Sequence, residues 1–137
     1  SSSDAVYMLD WYAYGIGKVP AKVATTYQNI SDAWSLLIDQ KWHDRITAIK
    51  ANDGGLSYVE FFEYRKNKMS IPLFNIYCAT GSNREYYAER TDLIQLGQTT
   101  QAIYFAKLTN EGEQSELALT GDEIKARFSL VNQAWNN

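Results

Sequence analysis

The chain contains one histidine, His43, which stands beside Asp44 in the sequence. An imidazole next to a carboxylate is a common arrangement for general-base catalysis. Adjacent residues on a strand point to opposite faces, so the pair is not expected to form a dyad. No Gly-x-Ser-x-Gly or Cys-x-x-Cys motif accompanies it. His43 is therefore interpreted as an exposed residue in a turn or at the start of a strand.

Paired carboxylates are the second kind of catalytic group to consider. Glycoside hydrolysis uses two carboxyl groups separated by about 5 Å or by about 7–9 Å. Glu60 and Glu63 lie within a clear strand pattern, but a spacing of three places them on opposite faces of a sheet. The denser acidic stretch at Glu111, Glu113 and Glu116 is interpreted as a solvated loop. The sequence therefore predicts no catalytic residue.

Metal and cofactor sites have little support in the sequence. Zinc sites use several Cys or His ligands, and this chain has one of each. Calcium sites need clustered carboxylates, and the turn at 52–55 contains one. The fragment Gly15-Ile16-Gly17 lacks the rest of a phosphate-binding loop. Cys78 lies in an apolar run and is interpreted as a small buried side chain. We therefore expect no metal and no cofactor.

Aromatic residues are abundant, with 10 Tyr, 4 Trp and 5 Phe. Tyr and Trp offer rigid contact area together with a polar group, which suits sugar, peptide or protein ligands. One candidate cluster is formed by Trp11, Tyr12 and Tyr14, of which Trp11 and Tyr14 are expected to pack in the core or at a sheet edge.

A second aromatic cluster is the predicted ligand-binding site. Arg84, Tyr86 and Tyr87 lie in segment 80–91, which is the longest connection between strong strand patterns. Loops held on a rigid scaffold often carry recognition residues. These three residues are therefore predicted to contact a ligand.

Most of the chain alternates apolar and polar residues with a period of two, as half-buried strands do. The alternation predicts strands over 6–14, 34–38, 45–51, 56–64, 71–79, 92–96 and 102–108. Their short connections predict antiparallel neighbours. Several runs are apolar on both sides, so both faces of the sheet should be partly covered. Residues 20–29 are compatible with a loop or a short helix, and 83–90 with a helical turn.

The last element is predicted to be a helix over 120–135. Thr120 can cap its start, and Glu123 completes a reciprocal capping box. Apolar residues then recur at helical spacing: Ile124, Phe128, Val131 and Trp135. This stripe is expected to lie across one face of the sheet.

Length and charge limit the class of protein. A chain of 137 residues predicts a single domain over 1–137, with residues 1–4 as a linker or an engineered remnant. The net charge of −3 and the scattered cations argue against a nucleic-acid partner. No run reaches the roughly 18 apolar residues of a membrane-spanning helix. No basic and apolar leader is seen, although a removed export signal or lipid anchor is compatible with the chain.

Several blocks of the sequence resemble uncharacterised, exported lipoprotein-type domains of bacteria. The similar blocks lie at 34–47, 57–62, 72–77, 94–97, 102–105 and 119–130. Such domains are similar in architecture to the PsbP and Mog1 proteins, which are α/β/α sandwiches that act by binding. The resemblance implies that fold, an extracellular or cell-envelope location and no assigned catalytic residue. The turn Asp39-Gln40-Lys41 lacks the proline of the pattern, which leaves the geometry of that turn open.

Together these observations predict an α+β fold, with a mainly antiparallel sheet and a C-terminal helix packed on one face. The predicted function is non-catalytic binding of a protein, a peptide or a glycan. One alternative is a hydrolase of cell-wall or glycan substrates. Another is a structural module of an envelope assembly, and the oligomeric state stays open.

Overall fold

A computed structural model describes residues 7–13, 21–66, 68 and 70–131. In chain order the elements are β1 (Tyr7–Ala13), β2 (Ala21–Asn29), β3 (Trp34–Leu37), a one-turn 3₁₀ helix (Gln40–Trp42), β4 (Ile46–Asp53), β5 (Leu56–Glu63), β6 (Ile71–Thr80), α1 (Glu85–Ala88), β7 (Ile94–Gln98), β8 (Ala102–Leu108), α2 (Asn110–Glu113), α3 (Gly121–Arg127) and β9 (Phe128–Leu130). Residues 1–4, Tyr14 and Trp135, which carry predictions, lie outside the described residues.

The described strands form two antiparallel sheets, where the sequence predicted one. The four-stranded sheet has the order β1-β2-β3-β9, and the five-stranded sheet has the order β4-β5-β6-β8-β7. The α+β class with mainly antiparallel strands is confirmed. The interpretation of residues 20–29 as a loop or a helix is wrong, because Ala21–Asn29 pairs with β1 on one side and β3 on the other. Hydrogen bonding to a strand on each side fixes this segment as an extended central strand of its sheet.

The main core lies where the two sheets face each other. The ring of Tyr27 on β2 meets that of Phe61 on β5, with their centroids 5.3 Å apart. Ile124 of α3 and Trp42 of the 3₁₀ turn are buried in the same cluster. Strand alternation explains this arrangement, since every second residue of each strand points to the shared interior.

A bulge in β6 adds one residue to this core. Phe61 pairs with Phe74 while Phe62 pairs with Pro72, so Leu73 is the extra residue on β6. Both Leu73 and Phe74 are buried in the main cluster. A bulge allows this because the extra residue interrupts the normal alternation of faces.

The C-terminal helix begins as predicted but is much shorter. The capping box between Thr120 and Glu123 is present, and α3 ends at Arg127. The prediction of a helix as far as residue 135 is wrong at Phe128–Leu130, which is strand β9 paired with β3. In the extended conformation Phe128 stacks on Trp34 at 5.7 Å, a tertiary contact that overrides helical periodicity. The short α3 contacts β3, β7 and β8, and so touches both sheets.

Candidate ligand-binding surface

The outer face of the five-stranded sheet, which points away from the four-stranded sheet, carries a row of aromatic rings. Tyr58 of β5 lies opposite Tyr77 of β6, and Tyr77 lies opposite Phe105 of β8. Both neighbouring pairs of ring centroids are 4.9 Å apart. The alternation of β5 produces this placement, because Val59 and Phe61 point into the core and Tyr58 points to the other side.

The segment after β6 extends this row of rings. Tyr87 of α1 stacks on Phe105 at 5.1 Å, and Tyr86 contacts Tyr87 edge to face at 5.2 Å. The guanidinium carbon of Arg90 lies 5.5 Å from the centre of the Tyr86 ring. We call the five rings the aromatic row: Tyr58, Tyr77, Phe105, Tyr87 and Tyr86. Phe105 is buried, whereas Tyr86 is 65% exposed at the end of the row.

Arg84 does not join the two predicted tyrosines in this row. Its guanidinium donates hydrogen bonds to the backbone oxygens of Gly81 at 2.6 Å and of Thr100 at 3.0 Å. It therefore fastens the start of the segment to the turn before β8. Arg90 instead lies beside the ring of Tyr86. Arg90 follows Tyr86 by four residues, the spacing at which side chains share one face of a helical turn, so the sequence could have indicated this pair.

A polar row lies beside the aromatic row on the same face. Glu60 is directly opposite Asn75, and Asn75 is directly opposite Lys107. The amide of Asn75 donates to the hydroxyl of Tyr77 at 3.1 Å, which joins the two rows. Partial burial, followed by the charge of Glu60, raises the pKa of Tyr58. This polar row offers a carboxylate, an amide and an ammonium group.

Sequence reasoning missed Tyr58, Tyr77 and the polar row as site residues. Period-two alternation was sufficient to place Tyr58 and Glu60 on one face of β5. The register between β5, β6 and β8 could not be read from the sequence, because it depends on pairing between distant segments.

The acidic stretch at Glu111, Glu113 and Glu116 is exposed, as predicted. Its interpretation as a loop is wrong at Glu111 and Glu113, because Thr109 caps a helical turn there and both residues belong to α2.

The sequence predictions about Glu60, Glu63 and Cys78 are confirmed. Glu63 is buried and accepts a hydrogen bond from Ser115, on the face opposite Glu60. Cys78 is a buried free thiol. The ring of Tyr12 is 48% exposed on the edge strand β1, to which Trp11 also belongs.

A second feature is a cleft of about 820 Å³ beside the 3₁₀ turn. Its described lining residues are Met8, Asp10, Ala24, Thr25, Leu37, Ile38, Asp39, Gln40, Trp42, His43, Asp44, Ile46 and Arg127. His43 is exposed in a turn, as predicted, and its Nε2 lies 3.2 Å from Asp44 Oδ2. The expectation that these neighbours point apart is wrong, because Asp44 has a φ of 57° in a turn and does not belong to a strand.

One wall of this cleft holds a partly buried ion pair. Arg127 donates to Asp39 at 2.6 Å, and the backbone N–H of Lys41 donates to the same carboxylate at 3.0 Å. The bond from Lys41, followed by that from Arg127, holds the pKa of Asp39 below its usual range. Asp39 is thus suited to carry a permanent charge and unsuited to donate a proton near neutral pH.

Comparison of the chain with protein families, curated proteins and solved structures finds no match in any of the three. Within the described part of the chain, no helix is long and apolar enough to span a membrane. No group of three or more His, Cys, Asp or Glu side chains among those residues is arranged to hold a metal ion.

Proposed function

We propose that this chain is a non-catalytic binding domain that holds a glycan against the outer face of the five-stranded sheet. The observation that carries the proposal is the aromatic row with the polar row directly beside it. Alternate residues of one strand are about 7 Å apart, which is comparable to the width of one sugar ring. A single sugar unit can therefore reach both rows.

The chemistry of the two rows suits a sugar. The C–H face of a sugar packs on aromatic rings, while its hydroxyl groups exchange hydrogen bonds with carboxylates and amides. Residue Ala51 lies opposite Tyr58 on β4, and its methyl group is too small to cover the side of that ring. Glu60 and Asn75 are half-buried and held on strands, so their polar groups are already oriented.

Binding without hydrolysis is the better match to these residues. A glycosidase needs two carboxyl groups across the scissile bond, one of them protonated. Glu60 is the acid of the polar row, while Glu63 points to the opposite face. In the cleft, Asp39 is held as an anion. A hydrolase would release new reducing ends from chitotetraose, cellotetraose or xylotetraose. Detection of these new reducing ends would favour the hydrolase alternative.

Titration of the ¹⁵N-labelled protein with chitotetraose, cellotetraose and xylotetraose tests this proposal. At least one should shift amide signals of β5 and β6, and Tyr58→Ala should weaken its binding about tenfold. The control is Tyr12→Ala, which removes an exposed ring from the other sheet and should leave affinity unchanged. The proposal fails if none of the three binds at millimolar concentration, or if both variants behave alike.

The resemblance to exported lipoprotein-type domains with a PsbP/Mog1-like sandwich supports an extracellular or cell-envelope location for this activity. Detection of the protein in envelope or culture-supernatant fractions of its native cells tests that part. A protein or peptide ligand on the same face would instead be detected as capture of a protein. A role as an assembly module would be detected as self-association in sedimentation.

A further inference from the structure

Strand β4 forms one edge of the five-stranded sheet and is eight residues long. We propose that β4 pairs with β4 of a second copy of this chain, antiparallel and about a two-fold axis, in a weak dimer. This pairing joins two five-stranded sheets into one continuous sheet. The proposal does not depend on glycan binding by the outer face.

The other described edge strands carry features that oppose pairing with a further strand. β1 and β7 each have a break in the register with their neighbour, and β9 has only three residues. In contrast, β4 keeps a regular register with β5 over its whole length and contains no proline. Bulges, prolines and short length are common protections of sheet edges. Among the described edges, β4 is therefore the one best suited to pair.

The hydrogen bonds between β4 and β5 show which backbone groups of β4 point outward. The backbone N–H of Tyr64 donates to the oxygen of Arg45, so Arg45 occupies a hydrogen-bonded position of this ladder. Hydrogen-bonded and non-hydrogen-bonded positions alternate in an antiparallel pair. Odd-numbered residues of β4 therefore bond to β5, and even-numbered residues direct their N–H and C=O groups away from it. A further strand must pair through the even-numbered positions.

One register of the two β4 strands suits the side chains best. It places Ile49 opposite Ile49 of the second copy, on the two-fold axis, and Ala48 opposite Lys50 of the second copy. The side chain of Ile49 is 52% exposed, so this contact covers apolar surface. Moving the axis to Lys50 would set two ammonium groups opposite each other. Moving it to Ala48 would bring Asp44, which has a φ of 57°, into the paired segment.

The charges along β4 are compatible with pairing to a second copy. In this register Asp53 lies opposite Arg45 of the second copy, and the two-fold axis repeats the pair. Arg45 already bonds to Glu116, but its side chain is 44% exposed and a guanidinium has five N–H donors. Lys50 donates to the hydroxyl of Ser31 at 2.7 Å, on the inner side of the sheet. No position from 45 to 53 therefore lies directly opposite a residue of like charge.

The dimer leaves the outer face open, because the second copy adds to the edge of the sheet and covers neither row. Ile49 lies opposite Glu60 on β5, so the polar rows of the two copies lie in line. The two Glu60 residues are three strand spacings apart, about 14 Å. If the glycan proposal holds, one long glycan can contact both polar rows. Strand pairing buries less surface than the roughly 1,000 Å² of a stable dimer, so we expect a Kd on the order of 100 µM.

Sedimentation equilibrium of the wild type between 10 µM and 1 mM tests for the dimer. The mass should rise with concentration and level off at two chains, because a two-fold interface closes on itself. Over the same range, hydrogen exchange of the N–H groups of Ala48 and Asn52 should slow. Exchange at Ala51, which bonds to β5, should change much less.

Matched lysine substitutions test the contact on the axis. Ile49→Lys should weaken dimerisation at least tenfold, because two ammonium groups then meet. Leu9→Lys is the control, since Leu9 is 43% exposed on the edge strand of the other sheet, and it should dimerise as the wild type does. Circular dichroism of both variants shows whether the fold is kept.

Cysteine substitutions test the register. Ile49→Cys places two thiols at a non-hydrogen-bonded pair, where the Cα atoms are about 4.5 Å apart and a disulfide can form. Oxidised glutathione should link this variant into a dimer. Thr47→Cys, on the same face of β4, should stay largely unlinked, because Thr47 lies opposite Ala51 of the second copy. The wild type, with its buried Cys78, is the second control.

Three results would each overturn the proposal. These are a wild type that stays monomeric at 1 mM, equal dimerisation of the two lysine variants, and equal cross-linking of the two cysteine variants. Species larger than two chains would contradict a closed dimer and favour the assembly-module alternative. Tyr58→Ala should dimerise normally, so dimerisation and glycan binding can fail separately.

Discussion

Glu63 is the one buried carboxylate among the described residues, and it couples stability to pH. The hydroxyl of Ser115, followed by the guanidinium of Arg65, holds its pKa below the usual range. A carboxylate with a lower pKa in the folded state stabilises the protein above the unfolded pKa of about 4.3. This stabilisation is lost as pH falls towards the folded pKa.

Ser115→Ala should therefore reduce the pH dependence of stability as well as stability itself. The thermal midpoint of the wild type should fall further between pH 7 and pH 3.5 than that of the variant. The reason is that the folded and unfolded pKa values of Glu63 differ less in the variant. Thermal unfolding by circular dichroism at both pH values measures this. Ser129→Ala, at an exposed position, is the control, and equal losses in wild type and Ser115→Ala would contradict the expectation.

Cys78 is expected to be unreactive in the folded protein. Burial, followed by the negative charge of Asp32, raises the pKa of its thiol to about 11. At pH 8 almost none of it is the reactive thiolate, and little of it is accessible. Labelling with a disulfide reagent should be slow in buffer and rapid in 8 M urea. Complete labelling of the native protein within seconds would show that this site opens readily.

At the scale of single elements, the capping box decides where α3 begins. Thr120→Ala removes the bond to the N–H of Glu123 and should lower the free energy of unfolding by about 1 kcal/mol. Thr120→Ser keeps the hydroxyl and should cost much less. Urea unfolding measures both. Similar losses in the two variants would assign the effect to the lost methyl group and not to capping.

Helix α2 is held close to β6 by a glycine. A Cβ at Gly112 would lie 2.4 Å from the backbone oxygen of Leu73, which cannot move without disturbing the bulge. Gly112→Ala should lower the free energy of unfolding by roughly 2 kcal/mol or more. In contrast, a Cβ at Gly97 would meet side-chain atoms at 3.6 Å, an ordinary contact. Gly97→Ala is therefore the control, and a smaller loss at Gly112 than at Gly97 would be inconsistent with this packing.

At the scale of the whole molecule, the two sheets should unfold together because they share one core. Leu36→Ala in the four-stranded sheet and Ile76→Ala in the five-stranded sheet each remove a fully buried side chain. Each should lower the free energy of unfolding by about 2–5 kcal/mol and leave a single transition. Tryptophan fluorescence and far-ultraviolet circular dichroism should report the same midpoint. The control is Ile49→Ala, because the side chain of Ile49 is 52% exposed. Two separate unfolding transitions would contradict a shared core.

Much of the local structure could be predicted from the sequence. The alternation of β5 correctly separated Glu60 from Glu63, and the capping box at Thr120 correctly placed the start of α3. The helical turn within 83–90 is present as α1. These features depend on residues a few positions apart, so chain geometry and short-range hydrogen bonds are sufficient to specify them.

The candidate site could be predicted only in part. Tyr86 and Tyr87 belong to the aromatic row, but Arg84 binds backbone oxygens elsewhere. The pairing of His43 with Asp44 needed a left-handed turn that the sequence pattern did not reveal. In both cases the partner of a side chain was set by how the chain turns, which the residue types leave open.

By itself the sequence determined the class of fold, most of the strands and which side of each strand is apolar. Only the tertiary structure decided the division into two sheets, the end of α3 at Arg127 and the register that aligns Tyr58, Tyr77 and Phe105. The physical reason is the range of the interactions. Alternation and capping act within one segment, whereas strand pairing and core packing select among many arrangements of distant segments.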